Sequence, residues 1–505
     1  MTIGRTQAVV LQGLLGSLID IECDIADGIP TYSLLGLPDA SLQESRDRVR
    51  AALVNTGQRW PNKKVTVSLS PAWIPKSGPG FDLAIALALL VADGVLPQAP
   101  LDGAIILGEL SLDGGIRSVR GVLPSLIAAL NNGITRAIVP RANLHEAELM
   151  EQMEILSFDH IFEIYRWLLT GEYPFNEPLD LEIPPRGELL DFADVAGQAK
   201  SRFAAEVAAT GGHHLLLIGP PGAGKTMIAS RIPSILPPLT IEEALEVTAI
   251  HSIAGTLTQR SPMSRIAPIV APHHTASRAS IVGGGGRSIQ PGAISMSHHG
   301  VLFIDEAPEC AAGILDSLRQ PLESGTITIA RQIGSVTFPA QFLLVLAANP
   351  CPCGKYSRRG LGCTCTSLQV RRYLGKLSGP LMDRIDIRVD VDPVGRVELA
   401  SQDLGESSSD IRARVIAARA RAAKRFAEQP WRLNSEIPAR ALRLQYQPEK
   451  SAMNFLHDEL DKEMITARGL HKVIRLSWTL ADLAERPVPT LSDVKNAYQL
   501  RDGGF

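Results

Sequence analysis

The chain is poor in net charge, in cysteine and in long apolar runs. Its 505 residues carry a formal net charge of −3, so any binding of nucleic acid must depend on local basic patches. The apolar run at 83–91 is far too short to span a membrane. The first residues lack the charged-then-apolar layout of a secretion signal, and we therefore expect a cytoplasmic protein without a membrane partner.

Four of the six cysteines are concentrated in one short segment. They form two C-x-C pairs, which are Cys351 with Cys353 and Cys363 with Cys365. In a cytosolic protein such a cluster favours a metal over disulfides, and four thiolates can close a tetrahedral zinc site. The spacing within each pair is tighter than the usual C-x₂-C, so reduced structural thiols or a redox pair are the alternatives.

The strongest motif is a glycine-rich loop between an apolar run and a helical stretch. It follows the pattern G-x-x-x-x-G-K-[ST], which is typical of a phosphate-binding loop. Its backbone N–H groups can converge on phosphate oxygens, and the next helix adds its positive end. We expect Lys225 to reach the β- and γ-phosphates of ATP and the Thr226 hydroxyl to bind Mg²⁺. The expected nucleotide-binding residues of the loop are Gly219, Pro220, Pro221, Gly222, Ala223, Gly224, Lys225 and Thr226.

Two later apolar runs also end in polar residues. The run at 301–304 is followed by Asp305 and Glu306, and the run at 342–348 by Asn349. Paired acids at the end of a strand are costly unless a metal or a substrate uses them. We expect Asp305 to hold Mg²⁺ through water and Glu306 to orient and polarise the attacking water.

Several segments resemble an AAA+ ATPase module. Residues 190–198 are similar to its entry segment, and Asn349 matches the sensor-1 position, which contacts the γ-phosphate or the water. Residues 465–476 resemble the sensor-2 helix, in which Arg468 would contact the γ-phosphate and couple the lid to hydrolysis.

A further segment, 378–386, resembles a signature of minichromosome-maintenance helicases and chelatase ATPases. The resemblance implies that Arg384 is an arginine finger supplied to the nucleotide of a neighbouring subunit, which requires a ring. The alternative is a local ion pair of Arg384 with Asp383 or Asp386.

Candidate DNA contacts lie in two regions. Residues 326–338 are typical of two strands around a glycine turn and resemble the pre-sensor-1 hairpin of helicase-type AAA+ proteins, which points into a central pore. Arg331 near this turn and Arg287 after four glycines could contact the DNA backbone, or could simply be solvated. The loop between the cysteine pairs is basic and has one aromatic side chain, which suits nucleic acid. Its candidate contacts are Lys355, Arg358 and Arg359.

The front region, residues 1–175, predicts an α/β domain of its own because strand-like and helical stretches alternate. Residues 75–82 and 108–134 resemble the proteolytic domain of Lon-type proteases. At the positions of that family's catalytic serine and lysine stand Gly80 and Leu123, which supply neither a hydroxyl nor an amine. The resemblance therefore implies a Lon-like fold without peptidase chemistry, serving as a scaffold or an oligomerisation platform.

The predicted organisation is a Lon-like α/β domain followed by a P-loop AAA+ module with a helical lid. After the front domain, a linker at 176–188 is rich in Pro, Gly and acidic residues. The AAA+ core at 189–395 is expected to have a parallel sheet with helices on both faces, and the lid occupies 396–505. A basic helical stretch at 411–425 is either DNA-facing or a solvated lid helix, and the second interpretation is favoured.

The segments 272–274, 297–303 and 349–354 extend the resemblance to nearly the whole chain. Together with the Lon-like domain, they resemble the YifB/ComM family of magnesium-chelatase-like AAA+ ATPases. The resemblance implies a homo-hexameric ring, driven by ATP and Mg²⁺, that acts on branched or single-stranded DNA. Its implied activity is that of a helicase promoting branch migration during recombination of incoming DNA in natural transformation.

Two other functions remain open at this stage. One is a chelatase-type subunit that drives Mg²⁺ insertion into a porphyrin, which the Lon-like domain and the four cysteines disfavour. The other is a regulatory protein without helicase activity, either a regulatory ATPase or a non-enzymatic assembly protein. The complete set of nucleotide-site residues disfavours a non-enzymatic assembly protein.

Overall fold

The computed structural model describes residues 3–173, 190–257, 263–285, 289–311, 313–331, 334–356, 362–395 and 405–502. The linker predicted at 176–188 lies outside the described residues, as do Arg287, Arg358 and Arg359. Within the described ranges, no helix is both long enough and apolar enough to cross a membrane.

The front domain is built on a mixed sheet. Its strands are β1 (Gly4–Gln12), β2 (Leu15–Ala26), β3 (Thr31–Leu35), β4 (Lys64–Ser70), β5 (Ala104–Ile106), β6 (Glu109–Leu110), β7 (Ile116–Arg117), β8 (Arg136–Pro140) and β9 (Glu154–Phe158). Its helices are α1 (Ala40–Gln43), α2 (Ser45–Asn55), α3 (Asp82–Ala92), α4 (Val122–Asn131), α5 (Leu144–Ala147) and α6 (Ile161–Thr170). Seven strands form one sheet in the order β3-β4-β2-β1-β5-β8-β9, and β6 pairs with β7.

The core of the front domain explains the apolar run of the sequence. Helix α3 packs against β1 and β2, and its residues 83–91 are all buried. A helix that is apolar on every side must be covered on every side, so this run is a core helix.

The ATPase core is a parallel sheet with two hairpins. Its strands are β10 (Leu215–Ile218), β11 (Ile269–Val270), β12 (Gly283–Gly284), β13 (Gln290–Pro291), β14 (Val301–Ile304), β15 (Thr326–Arg331), β16 (Gly334–Pro339), β17 (Leu343–Ala348) and β18 (Ile387–Asp390). Its helices are α7 (Ala199–Gly211), α8 (Lys225–Ile235), α9 (Ile241–Ala254), α10 (Arg278–Val282), α11 (Ala293–Met296), α12 (Ile314–Ser317), α13 (Arg319–Ser324), α14 (Ser367–Leu374) and α15 (Gly379–Met382). Five strands form the parallel sheet in the order β11-β14-β17-β10-β18, while β12 pairs with β13 and β15 with β16.

Both faces of the parallel sheet are buried. Leu215 and Leu217 of β10 belong to one apolar cluster, whereas Leu216 belongs to a cluster on the other face. Side chains along a strand alternate between faces, so continuous burial of β10, β14 and β17 requires cover on both sides. The predicted α/β fold class, a parallel sheet between helices, is confirmed.

The lid is helical, as the sequence predicts. It comprises α16 (Ser408–Arg425), α17 (Ala439–Leu444), α18 (Lys450–Asp461), α19 (Ala467–Leu483) and α20 (Leu491–Asp502). Four arginines of α16 are bonded within the chain, so these side chains of the lid helix are not simply solvated as the sequence interpretation favoured. They are Arg414 with Glu206, Arg419 with the Ala209 carbonyl, Arg421 with the Asp482 carbonyl and Arg425 with the Asp482 carboxylate.

Among the described residues, the front domain contacts the ATPase core at two places. Helix α4 packs on α9, and the Ser252 hydroxyl of α9 donates to the buried Glu146 carboxylate. The turn between β1 and β2 lies on the second hairpin, since a Cβ on Gly13 would lie 2.4 Å from the Val336 side chain. The hairpin that resembles the pre-sensor-1 element therefore rests on the front domain.

Candidate functional site

The glycine-rich loop connects the end of β10 to the start of α8. Gly222 and Gly224 have φ values of +77° and +93°, a left-handed backbone that glycine adopts without strain. Lys225 begins α8, and its Nζ donates to the carbonyls of Gly219 at 2.6 Å and Pro220 at 3.0 Å. The loop thus surrounds the amine of Lys225. The N-terminus of α8 lies at the end of the loop, and such a helix terminus can bind an anion.

Side chains that follow two neighbouring strands meet this loop. Lys225 Nζ donates to Asn349 Oδ1 at 3.1 Å, and Thr226 Oγ1 donates to Asp305 Oδ2 at 2.7 Å. Because β17 pairs in parallel with β10 and β14 pairs in parallel with β17, the residues that follow these strands share one edge of the sheet. Burial lowers the pKa of Lys225, and the nearby carboxylates of Asp305 and Glu306 act in the opposite sense. An ammonium, a hydroxyl and carboxylates in this arrangement suit a triphosphate with Mg²⁺.

Glu306 occupies an unusual backbone conformation at the same edge. Its φ is +49°, a region that costs energy for a residue with a side chain, and its N–H donates to Asp305 Oδ1 at 2.8 Å. Its carboxylate lies 3.1 Å from Nδ1 of His274, which follows β11. The sequence did not single out His274 as a site residue. Only the sheet order, with β11 beside β14, brings the two side chains together.

Arg384 and Arg468 line the same cleft, which is separate from the phosphate loop. Arg384 bonds to the Glu323 carboxylate and to the Pro380 carbonyl, and Arg468 pairs with Asp383 at 3.0 Å. Both line a cleft of about 1410 Å³ between the core and the lid, and no residue of the phosphate loop lines it. The edge of the sheet that carries Lys225, Asp305 and Asn349 is called the nucleotide edge below. In the described part of the chain, neither guanidinium is bonded to a residue of this edge. The local partner of Arg384 is therefore neither of the two aspartates suggested by the sequence.

A buried ion pair connects the lid to the segment that carries Arg384. Lys472 of α19 lies 2.9 Å from Asp386 and donates to the Ile385 carbonyl at 3.1 Å. Burial alone would raise the pKa of Asp386, but Lys472 and His213 hold that pKa well below its usual range. Motif reasoning missed Lys472, because neither the segment 465–476 nor the segment 378–386 assigns Lys472 and Asp386 to each other.

Lys472→Met is expected to lower the free energy of unfolding by about 3–5 kcal/mol, because it leaves the Asp386 carboxylate buried without its cation. The stabilisation is present above the ordinary carboxyl pKa and is lost as the pH falls through the lower folded-state pKa of Asp386. Urea unfolding near neutral pH measures the loss. The control, Arg468→Met, breaks the exposed pair with Asp383 and should cost less than about 1 kcal/mol. Equal losses in both variants would contradict this account.

The four clustered cysteines lie close together in space. Their sulfur atoms are all within 4.8 Å of one another. Cys351 Sγ lies 3.3 Å from Cys353 Sγ and 3.7 Å from Cys363 Sγ. The sulfurs of Cys353 and Cys363 are also 3.7 Å apart. Tetrahedral Zn²⁺ with four thiolates requires sulfurs roughly 3.8 Å apart, so this set fits a zinc ion. The Tyr356 N–H donates to Cys351 Sγ at 3.4 Å, a contact that would orient the ligand.

A second group of potential metal ligands is satisfied within the protein. Glu246 lies 3.0 Å from His298 Nε2 and 3.1 Å from His299 Nε2. Nδ1 of His298 accepts the Gln341 N–H at 3.1 Å, so the ring proton is on Nε2 and points at the carboxylate. Burial lowers the pKa of His298 to about 4, which keeps the ring neutral. This arrangement leaves no free lone pair on the ring of His298 for a metal ion.

Two of the DNA candidates lie within the described residues. Arg331 ends β15 and is exposed, and its guanidinium covers Gly284 of the first hairpin, where a Cβ would lie 2.7 Å from Nη2. Lys355 is exposed beside the cysteine cluster. Arg287, Arg358 and Arg359 fall outside the described residues and remain candidates from the sequence alone.

The Lon-like positions carry no serine–lysine pair in the described front domain. Leu123 is buried in α4, and Gly80 precedes α3. The nearby Ser125 hydroxyl donates to the Gly121 carbonyl at 2.7 Å, and the buried Lys76 amine donates to the carbonyls of Leu69 and Pro71. These groups are used in holding the backbone.

Models of protein families match three parts of the chain. The model described as magnesium chelatase, subunit ChlI, matches residues 191–399, and its C-terminal model matches 405–501. A model described as subunit ChlI of Mg-chelatase matches residues 21–143. The N-terminal region is also similar to Lon protease 2 of Herpetosiphon aurantiacus, with 26% identity over 32% of this chain and 21% of that protein.

Full-length relatives extend the match to the whole chain. An uncharacterized protein of Mycobacterium tuberculosis is 45% identical over 100% of this chain and 99% of its own length. YifB of Escherichia coli is 38% identical over 99% of this chain and 97% of its own, and the competence protein ComM of Haemophilus influenzae is 37% identical over 93% and 92%. The chain therefore belongs to the YifB/ComM family of magnesium-chelatase-like AAA+ ATPases.

Proposed function

We propose that this chain is an ATP-hydrolysing motor that assembles into a ring and acts on DNA. The observation that carries the proposal is the convergence of Lys225, Thr226, Asp305 and Asn349 at one edge of the parallel sheet. Lys225 and the loop would hold the phosphates of ATP. Thr226 and Asp305 would hold Mg²⁺, which neutralises charge on the phosphates. Glu306 would orient and polarise the water that attacks the γ-phosphorus.

The ring is supported by the cleft that contains the two arginines. Arg384 and Arg468 both line this cleft, which no residue of the phosphate loop of their own chain lines. A guanidinium stabilises the charge of a transferring phosphoryl group only within contact distance. Both arginines would therefore serve the nucleotide of a neighbouring subunit that faces the cleft, and the family implies a hexamer. This differs from the sequence prediction for Arg468, which did not place its nucleotide on a neighbour.

DNA is the proposed substrate of the motor. One relative is named a competence protein, and the second hairpin of the core carries the exposed Arg331. Lys355, with Arg358 and Arg359 from the sequence, would add a second basic site at the cysteine cluster. The proposed activity is that of a ComM-like helicase, which promotes branch migration during recombination of incoming DNA.

The second candidate function is a chelatase-type motor subunit that drives insertion of a metal ion. The names of the matching family models favour it. The two functions differ in what stimulates ATP hydrolysis. Branched DNA should stimulate a helicase, whereas a chelatase partner with a porphyrin should stimulate a chelatase-type motor subunit.

Zinc is the proposed occupant of the four-cysteine cluster. Its donor set is complete within the chain, and the sulfur spacing fits tetrahedral coordination. A closed set of four thiolates is a structural site, so the metal would contribute to folding of the segment and not to chemistry on substrate.

Branched DNA is expected to raise the rate of ATP hydrolysis, and Arg331→Ala is expected to weaken DNA binding at all sequences. Removing one phosphate contact should reduce the slope of log affinity against log salt by about one. Fluorescence anisotropy with a labelled four-way junction at several salt concentrations measures the slope.

The control for this experiment is Arg166→Ala, which removes an exposed arginine from the front domain. Its slope should match that of the wild type. A protein that neither binds the junction nor hydrolyses ATP faster in its presence would contradict the DNA proposal while leaving the ATPase proposal intact.

A further inference from the structure

The four-cysteine cluster touches the nucleotide site through its first pair of cysteines. Cys351 follows Asn349 after one proline, and Asn349 Oδ1 accepts a hydrogen bond from Lys225. Gly354, in the same turn, has a φ of +72° and lies on the ring of Pro221 in the phosphate loop. A Cβ added to Gly354 would lie 2.6 Å from Pro221 Cδ, so the two loops are in direct contact.

The second pair of cysteines reaches the same asparagine by another route. Cys363 and Cys365 lead directly into α14, which Thr366 caps through its hydrogen bond with the Gln369 N–H. Tyr373 near the end of α14 is only 4% exposed, and its hydroxyl lies beside the backbone of Asn349. The residues on both sides of the cluster therefore converge on Asn349.

We infer that the metal-bound cysteine cluster is a positioning element of the nucleotide site, which holds Asn349 and Pro221 in place for ATP. A zinc ion would join the segment 349–356 to the segment 362–374 through four metal–sulfur bonds. Thiols alone are weak hydrogen-bonding groups and would hold the two segments much less firmly. The inference rests on the proposal that zinc occupies the cluster, and it adds that the metal acts on nucleotide binding.

The test compares three variants of the full chain. Cys363→Ser with Cys365→Ser removes two ligands and leaves the turn beside the phosphate loop unchanged. Gly354→Ala keeps all four ligands but places a methyl group against Pro221 in a strained backbone conformation. Cys23→Ala removes a buried thiol from the core of the front domain and is the control.

Three quantities are measured for each variant: zinc per chain by elemental analysis, affinity for a fluorescent ATP analogue, and kcat with KM for ATP. Wild type and the control should contain about one zinc per chain. The double cysteine variant should lose zinc and bind the analogue roughly tenfold more weakly, with far-UV circular dichroism retained. Gly354→Ala should keep zinc, yet misplacement of the loop should still lower kcat/KM by about 10-fold to 100-fold.

The outcomes separate the two ideas. Wild-type protein purified without zinc would remove the zinc proposal and the inference with it. Zinc in the wild type, combined with loss of zinc but unchanged nucleotide affinity in the double cysteine variant, would overturn the inference alone.

Discussion

Glu306→Gln is expected to bind ATP and to lose nearly all hydrolysis. Glutamine keeps the size and the hydrogen-bonding shape of the side chain but cannot polarise the attacking water by accepting its proton. Loss of a positioned base typically costs about 10²–10⁴-fold in rate. The contacts that hold the phosphates come from Lys225, Thr226 and Asp305, so affinity for ATP should change little. Phosphate release and binding of a fluorescent ATP analogue measure the two effects.

Glu309→Gln provides the matched control. Glu309 lies three residues along the chain, outside the nucleotide edge, and its carboxylate is paired with Lys376 at 3.5 Å. Its removal should leave hydrolysis near the wild-type rate. Robust turnover in Glu306→Gln would refute the role assigned to Glu306.

The second large effect is expected for Arg384→Ala. An arginine finger stabilises charge on the transferring phosphoryl group and is worth about 10³–10⁵-fold in kcat. In the isolated chain Arg384 bonds to Glu323 and the Pro380 carbonyl, so it must exchange these partners for a neighbour's nucleotide. Affinity for ATP should fall far less than kcat, because the phosphate loop is untouched. Steady-state kinetics with separate measurement of nucleotide affinity tests this prediction.

Arg440→Ala is a suitable comparison, because Arg440 is an exposed arginine of the lid helix α17. It should hydrolyse ATP at nearly the wild-type rate. If Arg384→Ala also retained the wild-type kcat, its local bonds would be its only role, and the shared site would be wrong.

The nucleotide edge could be predicted from the sequence because each of its parts lies next to a strand in the chain. The glycine-rich loop, Asp305 and Asn349 each follow an apolar run, and parallel strands bring their carboxyl ends to one edge. The motifs, and the position of each residue directly after an apolar run, were sufficient to predict that these residues lie together. The α/β character of the front domain followed from its alternating runs, and the parallel sheet of the core followed from the resemblance to an AAA+ module.

Contacts between residues far apart in the chain could not be predicted in this way. The pairs His274–Glu306 and Lys472–Asp386 depend on sheet order and on how the lid packs, and no sequence motif assigns these partners to each other. The contact of Gly354 with the phosphate loop is of the same kind. The four thiols could be predicted as metal ligands from the sequence. Their proximity to the phosphate loop could not, because it depends on how the chain folds.

The most direct test of the shared nucleotide site is ATP hydrolysis by mixed Lys225→Ala and Arg384→Ala chains. Each variant alone should be nearly inactive, since one lacks the lysine that holds the phosphates and the other lacks the arginine offered to a neighbour. In mixed rings, the intact loop of one chain meets the intact arginine of another, and about a quarter of the wild-type rate should return. Recovery of activity on mixing is the result that the shared site predicts. A mixture as inactive as its components, or Arg384→Ala chains that hydrolyse ATP alone, would contradict it.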